Sequence, residues 1–240
     1  MMLSPTSINT YLQCPRKYYY KYIKRLPTKE SACMIVGSIT HEVLAEFVSQ
    51  DDTDYSKERL LKILDETWKK NKNNLVDKKH YKEIRDMVEK WFENTVKKAN
   101  GKSLCEYFRG KKAEIKLNSN EYNVRGILDL VDEKDELIVE YKTSSRDSLK
   151  REYKLQLGIY TLLFLEKFKQ LPKKLFINFL RHEEKAVPVT RELVNEAKRI
   201  CKLIKLKTLK RDIKHYPKKV CPLCKWSNGQ CDFYEGCFRK

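Results

Sequence analysis

The pattern of apolar and polar positions predicts a mainly helical first part of the chain. Ser4 and Pro5 suit a helix start, because serine caps and proline fits the first helical position. Pro15 then interrupts that helix. Apolar residues at core spacing predict a helix over 37–49, and the pattern over 55–100 is mostly helical. The apolar stripe in the latter region indicates packing against a core.

The second part of the chain alternates between strand and helix patterns. Short apolar runs bounded by turn residues predict strands over 111–117, 122–131, 136–142, 175–180 and 186–189. Helices are predicted over 148–167 and 191–207, and the second should be exposed and amphipathic. We therefore expect one α/β domain over 1–240. Its parts are a mainly helical 1–105, a sheet core with flanking helices at 106–190, and a helix with a cysteine-rich tail at 191–240.

Lysine and arginine outnumber the acidic residues by 51 to 33, a formal net charge of +18 over 240 residues. Such a surplus favours a polyanionic partner, either nucleic acid or an acidic membrane surface. Because lysines are spread along the whole chain, a general compositional bias also stays open. No apolar run approaches membrane-spanning length and the first residues lack a signal-peptide pattern. We therefore expect a cytoplasmic protein without a membrane partner.

The strongest chemical signal is a pair of carboxylates on two neighbouring predicted strands. Asp129 lies in the strand over 122–131, and Glu140 follows it after a charged turn. A hairpin brings them together, and the strand period directs Glu140 and Lys142 to one face while Tyr141 points away. Such carboxylates suit Mg²⁺ or Mn²⁺, and a lysine beside the ion can orient the water that attacks a phosphodiester. An ordinary charged surface hairpin is the alternative for these residues alone.

Aromatic and basic residues are interleaved over 16–25. Such a segment can stack bases and neutralise phosphates, so it contributes candidate nucleic-acid-binding residues. These candidates are Arg16, Lys17, Tyr20 and Lys21. The alternative is that the tyrosines pack into the core while the basic residues solvate the outside.

Eight cysteines in a chain expected to be intracellular favour metal or cluster ligation over structural disulfides. Four lie in the tail, at Cys221, Cys224, Cys231 and Cys237. This tail lacks the apolar content to fold alone, and ligation of zinc or an iron–sulfur cluster would organise it. Cys14 is a fourth candidate beside any three of them, and the spacing leaves the set open. The remaining cysteines are interpreted as small buried hydrophobes: Cys33, Cys105 and Cys201.

Six motifs follow one another along nearly the whole chain. They are LSPTSINTYLQCPRKYYY at 3–20, GSITHEVL at 37–44, GILD at 126–129, EYK at 140–142, QLGIY at 156–160 and the cysteine tail. Together they resemble the PD-(D/E)XK nuclease superfamily. The narrower resemblance is to its RecB-like branch, which includes the CRISPR-associated RecB-like exonucleases and the AddB-type iron–sulfur nuclease domain. The resemblance implies a restriction-endonuclease-like core, a central mixed sheet flanked by helices.

The resemblance also implies roles for individual residues. The metal ligands would be His41, Asp129, Glu140 and the backbone carbonyl of Tyr141. Lys142 would be the catalytic lysine. Gln156 and Tyr160 match a motif implicated in DNA binding and site organisation, and Glu114 is the candidate for an acidic residue that precedes the second motif.

In the family, one cysteine after the first helix and three near the C-terminus hold a structural 4Fe–4S cluster. Here the matching residues are Cys14, Cys221, Cys224 and Cys231. The step between the last two is slightly longer than in the family pattern, and Cys237 is the alternative fourth ligand. Zinc stays open as the metal of the tail.

The implied activity is that of a Mg²⁺- or Mn²⁺-dependent deoxyribonuclease, an exonuclease on single-stranded DNA ends. The alternative is a noncatalytic nucleic-acid-binding module with a zinc-ribbon tail. The family suggests proteins of CRISPR adaptation or of recombination repair as partners, in antiviral defence or in DNA repair. The sequence indicates neither the pathway nor the oligomeric state.

Overall fold

The computed structural model describes residues 2–50, 53–226 and 229–238. The helices are α1 (Pro5–Gln13), α2 (Pro15–Tyr18), α3 (Ala32–Ser49), α4 (Lys57–Asn71), α5 (Lys78–Ala99), α6 (Leu104–Phe108), α7 (Arg151–Phe168), α8 (Arg191–Lys207) and α9 (Tyr234–Phe238). The strands are β1 (Lys111–Ser119), β2 (Val124–Asp132), β3 (Leu137–Lys142), β4 (Lys174–Phe179), β5 (Glu184–Val187), β6 (Lys225–Trp226) and β7 (Gly229–Gln230). Single 3₁₀ turns span Ile213–His215 and Pro222–Cys224.

Local sequence explains where the first helices begin and end. The Ser4 hydroxyl accepts the Ser7 N–H, and the Ser7 hydroxyl accepts the Ser4 N–H, which satisfies two otherwise unpaired donors. Pro5 occupies the first turn, as predicted. Cys14 has an extended backbone and separates α1 from α2. A π-helical turn over Tyr19–Ile23 continues α2.

Five strands form one mixed sheet in the order β1-β2-β3-β4-β5. The pairs β1–β2, β2–β3 and β4–β5 are antiparallel, whereas β3 and β4 are parallel. Parallel neighbours need a crossover connection, and α7 supplies it. The predicted α/β fold with a central mixed sheet is therefore confirmed.

Helices cover both faces of the sheet, and each face has its own apolar cluster. On the first, which we call the α7 face, Ile138 packs with residues of α1, α7 and α8. On the second, the α3 face, Val139 packs with residues of α3, α4 and α5. Alternation along β3 then directs Glu140 to the α7 face and Tyr141 to the α3 face.

Helix α3 begins earlier than predicted and is more apolar than the sequence analysis anticipates. Within the described part of the chain it is the one helix whose length and composition would suffice to cross a membrane. A core helix meets the same test. Here Ile39, Val43 and Phe47 are almost completely buried, so α3 packs as a core helix against the sheet.

Helix α8 is amphipathic as predicted, with Val194 and Ile204 buried on the side that packs against α7. Of the cysteines predicted to be buried, Cys201 is buried and Cys105 is half-buried. Cys33 is exposed, and the prediction is wrong there because this residue lies in the first turn of α3, before its packed region.

Candidate active site

The hairpin of β2 and β3 brings the two predicted carboxylates to one end of the sheet. Both side chains are buried, with Asp129 7% and Glu140 3% exposed. The Tyr141 N–H donates to Asp129 Oδ2 at 2.7 Å, which fixes the aspartate against the next strand. The backbone of β3 therefore orients the carboxylate on β2.

Two further side chains, the imidazole of His41 and the carboxylate of Glu114, approach Asp129 from α3 and β1. His41 of α3 lies with Nδ1 3.2 Å from Asp129 Oδ1 and 4.0 Å from Glu114 Oε1. Ligand atoms of these three residues lie within 4.8 Å of one another. Among the described residues, Glu140 is not part of this group. The group joins two predicted metal ligands to Glu114, which the resemblance singles out only as a candidate.

The backbone at Glu114 is unusual for a residue inside a strand. Its φ of +51° lies in the left-handed region, which non-glycine residues rarely adopt. On β1 its neighbours Ala113 and Ile115 pair with Leu130 and Leu128, so Glu114 stands opposite Asp129. Such backbone strain clusters at functional sites, where surrounding structure maintains it.

Electrostatics of the site favour a bound cation. Burial and then the neighbouring Asp129 carboxylate raise the pKa of Glu140, although Lys142 acts in the opposite direction. Burial by itself would lower the pKa of His41, but Asp129 and the other carboxylates outweigh it and raise that pKa. Burial and Asp129 also raise the pKa of Glu114. The chain concentrates carboxylates that repel one another, and a divalent ion would relieve this repulsion.

One oxygen of Glu140 provides a direct test of whether a metal ion fits. Its Oε1 is engaged by Lys142 and Gln156, whereas its Oε2 is buried without a hydrogen-bond partner among the described residues. An orphaned buried carboxylate oxygen is costly, and ligation of a cation removes that cost. Carboxylates together with one imidazole also form a donor set suited to Mg²⁺ or Mn²⁺.

Helix α7 provides one of the two polar partners of Lys142, and β3 provides the other. Lys142 Nζ donates to Glu140 Oε1 at 2.5 Å and to Gln156 Oε1 at 3.0 Å. Gln156 Nε2 in turn donates to Glu140 Oε1 at 2.7 Å and lies 2.8 Å from the Tyr160 hydroxyl. The structure thus brings together the four predicted residues of β3 and α7. It also adds Tyr153, whose ring centre lies 5.0 Å from Lys142 Nζ. Its place one turn before Gln156 on α7 is the sequence signal for this residue.

Gly126 allows α7 to approach β2 closely. A Cβ atom at this position would lie 2.8 Å from Leu163 Cδ1 and 2.9 Å from Tyr160 Cε1. Both distances are below normal contact, so a larger residue would displace the tyrosine ring. The glycine of the GILD motif therefore has a packing reason, which is to seat Tyr160 against the sheet.

A groove of about 710 Å³ adjoins the same corner of the sheet. Its lining includes Gln156 and Tyr160 from the site, the basic side chains of Lys116 and Arg125, and the start of α1. Ile127 is 44% exposed on this surface, which is unusual for a large aliphatic residue of a central strand. The groove offers cations for phosphates and an apolar surface beside the carboxylates.

Five cysteines gather around the end of α1. The cavity between α1 and the tail is lined by Cys14, Cys221, Cys224, Cys231 and Cys237. All five are free thiols. Burial, and then proximity to Cys14, raise the pKa of the Cys237 thiol. The predicted ligand candidates of both ends of the chain, including the alternative Cys237, are therefore neighbours.

The basic and aromatic segment after α1 contacts this tail. Arg16 Nε donates to the Tyr216 carbonyl at 2.7 Å, and Lys17 both donates to a side chain of α1 and lines the cysteine cavity. Tyr20 is 8% exposed, and its hydroxyl donates to the Gly236 carbonyl at 2.6 Å. Base stacking by Tyr20 does not fit this burial, so its core-packing alternative holds. Lys21 Nζ lies 5.6 Å from the centre of the Tyr22 ring.

The fold and the site define a metal-dependent nuclease. Carboxylates and a lysine on a mixed sheet, with helices on both faces, form an arrangement that can hold a divalent ion beside a cation able to orient water. The model of the PD-(D/E)XK nuclease superfamily matches residues 2–234, and the chain belongs to this superfamily. The resemblance found in the sequence is thereby confirmed at the level of the superfamily.

A solved structure supports the same fold. The chain is similar to a provisionally named exonuclease from Eubacterium rectale, with a TM-score of 0.54 and 14% sequence identity. The match covers 93% of this chain and 85% of the other. No curated protein matches the sequence.

Proposed function

We propose that this nuclease is a deoxyribonuclease that degrades single-stranded DNA from its ends with Mg²⁺ or Mn²⁺. The observation that carries the proposal is the buried Glu140, with one oxygen held by Lys142 and Gln156 and the other without a partner. The basic groove beside this site supports a DNA backbone as the substrate, since Lys116 and Arg125 offer charges for phosphates. The net charge of +18 also favours a polyanionic substrate such as DNA.

Asp129, Glu140, His41 and the carbonyl of Tyr141 would hold the divalent ion. Once bound, the ion would polarise the scissile phosphate and supply charge stabilisation for the leaving oxygen. The other steps belong to the chain. Lys142 Nζ is held by two acceptors, so one of its protons can point at a water and orient it for attack.

Gln156 and Tyr160 complete the geometry on the α7 side. Gln156 connects Glu140 with the Tyr160 hydroxyl, and burial raises the pKa of that hydroxyl well above its ordinary value. Tyr160 therefore stays neutral and can donate a hydrogen bond towards the groove. In this role the two side chains position the substrate phosphate relative to Lys142.

The cysteine cavity is proposed to hold a structural 4Fe–4S cluster, with zinc as the alternative metal. Cys14, Cys221, Cys224 and Cys231 are the proposed ligands, and Cys237 is the alternative fourth one. Support comes from the convergence of these free thiols on one cavity and from the small apolar content of the tail. Ligation would connect α1 to the tail on the side of the segment over 16–25.

The proposed setting is the cytoplasm, where the enzyme would work with proteins of CRISPR adaptation or of recombination repair. Support for this setting comes from the RecB-like motifs and from thiols that are free and not paired in disulfides. Pull-down from cells that express the tagged protein would test it. Recovery with neither group of proteins would contradict this part of the proposal.

The decisive experiment is a nuclease assay on protein purified without oxygen. End-labelled single-stranded DNA is incubated with Mn²⁺, and the visible spectrum of the same sample is recorded. Brown protein that shortens the labelled strand, together with an inactive Lys142→Ala variant, is the expected result. The matched control is Lys154→Ala, an exposed lysine of α7, which should retain activity. Colourless zinc protein that binds DNA and leaves it intact with every divalent ion would overturn the proposal.

A further inference from the structure

A second cavity lies on the face of the sheet opposite Glu140 and Lys142. It has a volume of about 270 Å³ and is enclosed by α5, α6 and the strands β2 to β5. Its size is near the lower end of small-molecule sites, which span roughly 300–1,000 Å³. The side chain of Tyr141 lines it, but none of the carboxylates of the active site does.

Aromatic rings form most of the apolar wall. Trp91, Tyr107, Phe108, Tyr141 and Phe176 all line the cavity. The rings of Tyr107 and Phe176 are only partly buried, so each keeps surface that faces the open space. Walls of this kind select flat ligands, because planar rings stack on aromatic side chains.

Two amides in the cavity lack partners. Asn178 of β4 is 8% exposed, and its side chain makes no hydrogen bond to any residue that the structure describes. The amide of Asn94 on α5 is likewise unpaired within the described residues. Neither amide is among the fully buried polar atoms that lack a partner, so both are accessible to a ligand in the cavity that offers donors and acceptors. Asparagine side chains read the edges of nucleobases in this way.

The charges at the cavity narrow the choice of ligand. Lys98 and Glu184 neutralise each other at 2.6 Å, so the interior suits an uncharged ring. Lys174 lines the cavity and is exposed, with no ion-pair partner in the described part of the chain. Lys174 can form an ion pair with a phosphate outside the cavity while the ring of the same ligand lies inside it.

We propose that this cavity binds the base of a nucleotide, stacked on Tyr107 and Phe176 and hydrogen-bonded by Asn94 and Asn178. The base can arrive in a free deoxynucleoside monophosphate or at the end of a DNA strand. Neither source depends on turnover at Glu140. Asn178 pairs with Tyr141 in the sheet, and the Tyr141 N–H holds Asp129, so an occupied cavity abuts the strand that orients the active site.

Calorimetric titration in EDTA tests the proposal without involving the metal site. The four deoxynucleoside 5′-monophosphates are titrated into the full chain, and 2-deoxyribose 5-phosphate serves as the probe without a base. We expect at least one monophosphate to bind with a stoichiometry of one, whereas the sugar phosphate should not bind. Asn178→Leu should weaken binding about 5- to 150-fold, since a base contact with an amide is worth roughly 1–3 kcal/mol.

Two further variants protect the result against a folding artefact. Asn94→Ala changes a half-buried side chain of α5 and should also weaken binding, whereas Asn195→Leu on the exposed side of α8 should leave it unchanged. A phosphorothioate tetranucleotide that competes with the monophosphate identifies a strand end as a source of the base, and binding of the monophosphate alone identifies the free nucleotide. The proposal is overturned if no monophosphate binds, if the sugar phosphate binds equally well, or if both asparagine variants keep wild-type affinity.

Discussion

The Glu140→Gln substitution separates metal binding from folding. Glutamine keeps the size of the side chain, and its amide oxygen can still accept from Lys142 and Gln156. It removes one negative charge beside Asp129 and the oxygen that has no partner. We therefore expect the variant to fold normally in EDTA and to lose affinity for the divalent ion.

The magnitude follows from linkage between binding and stability. At a Mn²⁺ concentration of about 100 Kd, the ion stabilises the wild type by roughly 2.7 kcal/mol. For a domain of this size, each kcal/mol raises Tm by about 2–4 °C, so the expected rise is about 5–11 °C. If loss of a carboxylate ligand weakens binding about 100-fold, the same concentration stabilises the variant by about 0.4 kcal/mol. Its Tm should then rise by less than about 2 °C.

Thermal unfolding followed by circular dichroism, with and without MnCl₂, measures both quantities. Glu133→Gln is the matched control, because this carboxylate is exposed and pairs with Lys112 outside the site. It should show the wild-type rise. If Glu140→Gln keeps the full Mn²⁺ effect on Tm, the reasoning is refuted, since the ion would then bind without the buried carboxylate.

Three further predictions concern packing, a buried ion pair and the tail. Gly126→Ala should cost about 1–3 kcal/mol of stability and reduce the cleavage rate about 100-fold, because the added methyl group displaces Tyr160. Gly37→Ala is the control, since its methyl group would make only an ordinary contact with Thr143 and should leave the cleavage rate unchanged. Equal cleavage rates for the two variants would contradict the packing argument. Asp132→Asn should lower the free energy of unfolding in denaturant by about 3–5 kcal/mol, because it leaves Lys111 buried without its counterion, whereas the exposed Glu133→Gln should cost less than about 1 kcal/mol. Burial favours the protonated form of Asp132, but the hydrogen bonds from Lys111 and the backbone outweigh burial and lower the pKa of this carboxyl. The ion pair therefore contributes to stability above about pH 4, and this contribution is lost as the pH falls through the lowered pKa. If Asp132→Asn lowers the free energy of unfolding equally at every pH, the ion pair is not the cause. Cys231→Ser should lose iron measured by absorption and elemental analysis, while Cys237→Ser should retain it; the reverse result would make Cys237 the fourth ligand.

The sequence was sufficient to predict the β2–β3 hairpin because its information is local. A short charged turn connects β2 to β3, and the strand period directs Glu140 and Lys142 to one face. The spacing of Gln156 and Tyr160 on α7 is equally local, and both side chains lie where the pattern predicts.

Other parts of the site depend on contacts between distant segments. Glu114 joins Asp129 through a left-handed backbone in β1, which no propensity at that position indicates. The basic neighbours of Tyr20 in the sequence suggest base stacking, but in the fold Gly236 and Phe233 of the tail contact this side chain. The cavity behind β3 is lined by six elements, and the periodicity of the sequence cannot specify how these elements pack against one another. Local patterns predict helices, strands and their faces, whereas burial and cavities arise only after tertiary packing.

The contacts between the first helices and the tail also bear on the order of folding. They join Arg16 to Tyr216, Tyr20 to Gly236 and Leu12 to Lys219, across 200, 216 and 207 positions of the chain. Closing a loop of that length costs about 5 kcal/mol of chain entropy, whereas the β2–β3 hairpin closes across a few residues. The hairpin and its carboxylates should therefore form early, and the tail should dock last. On a nascent chain the carboxylates of the hairpin would be in place while the cysteines were still apart, so occupancy of the thiol cavity would report the last step of maturation.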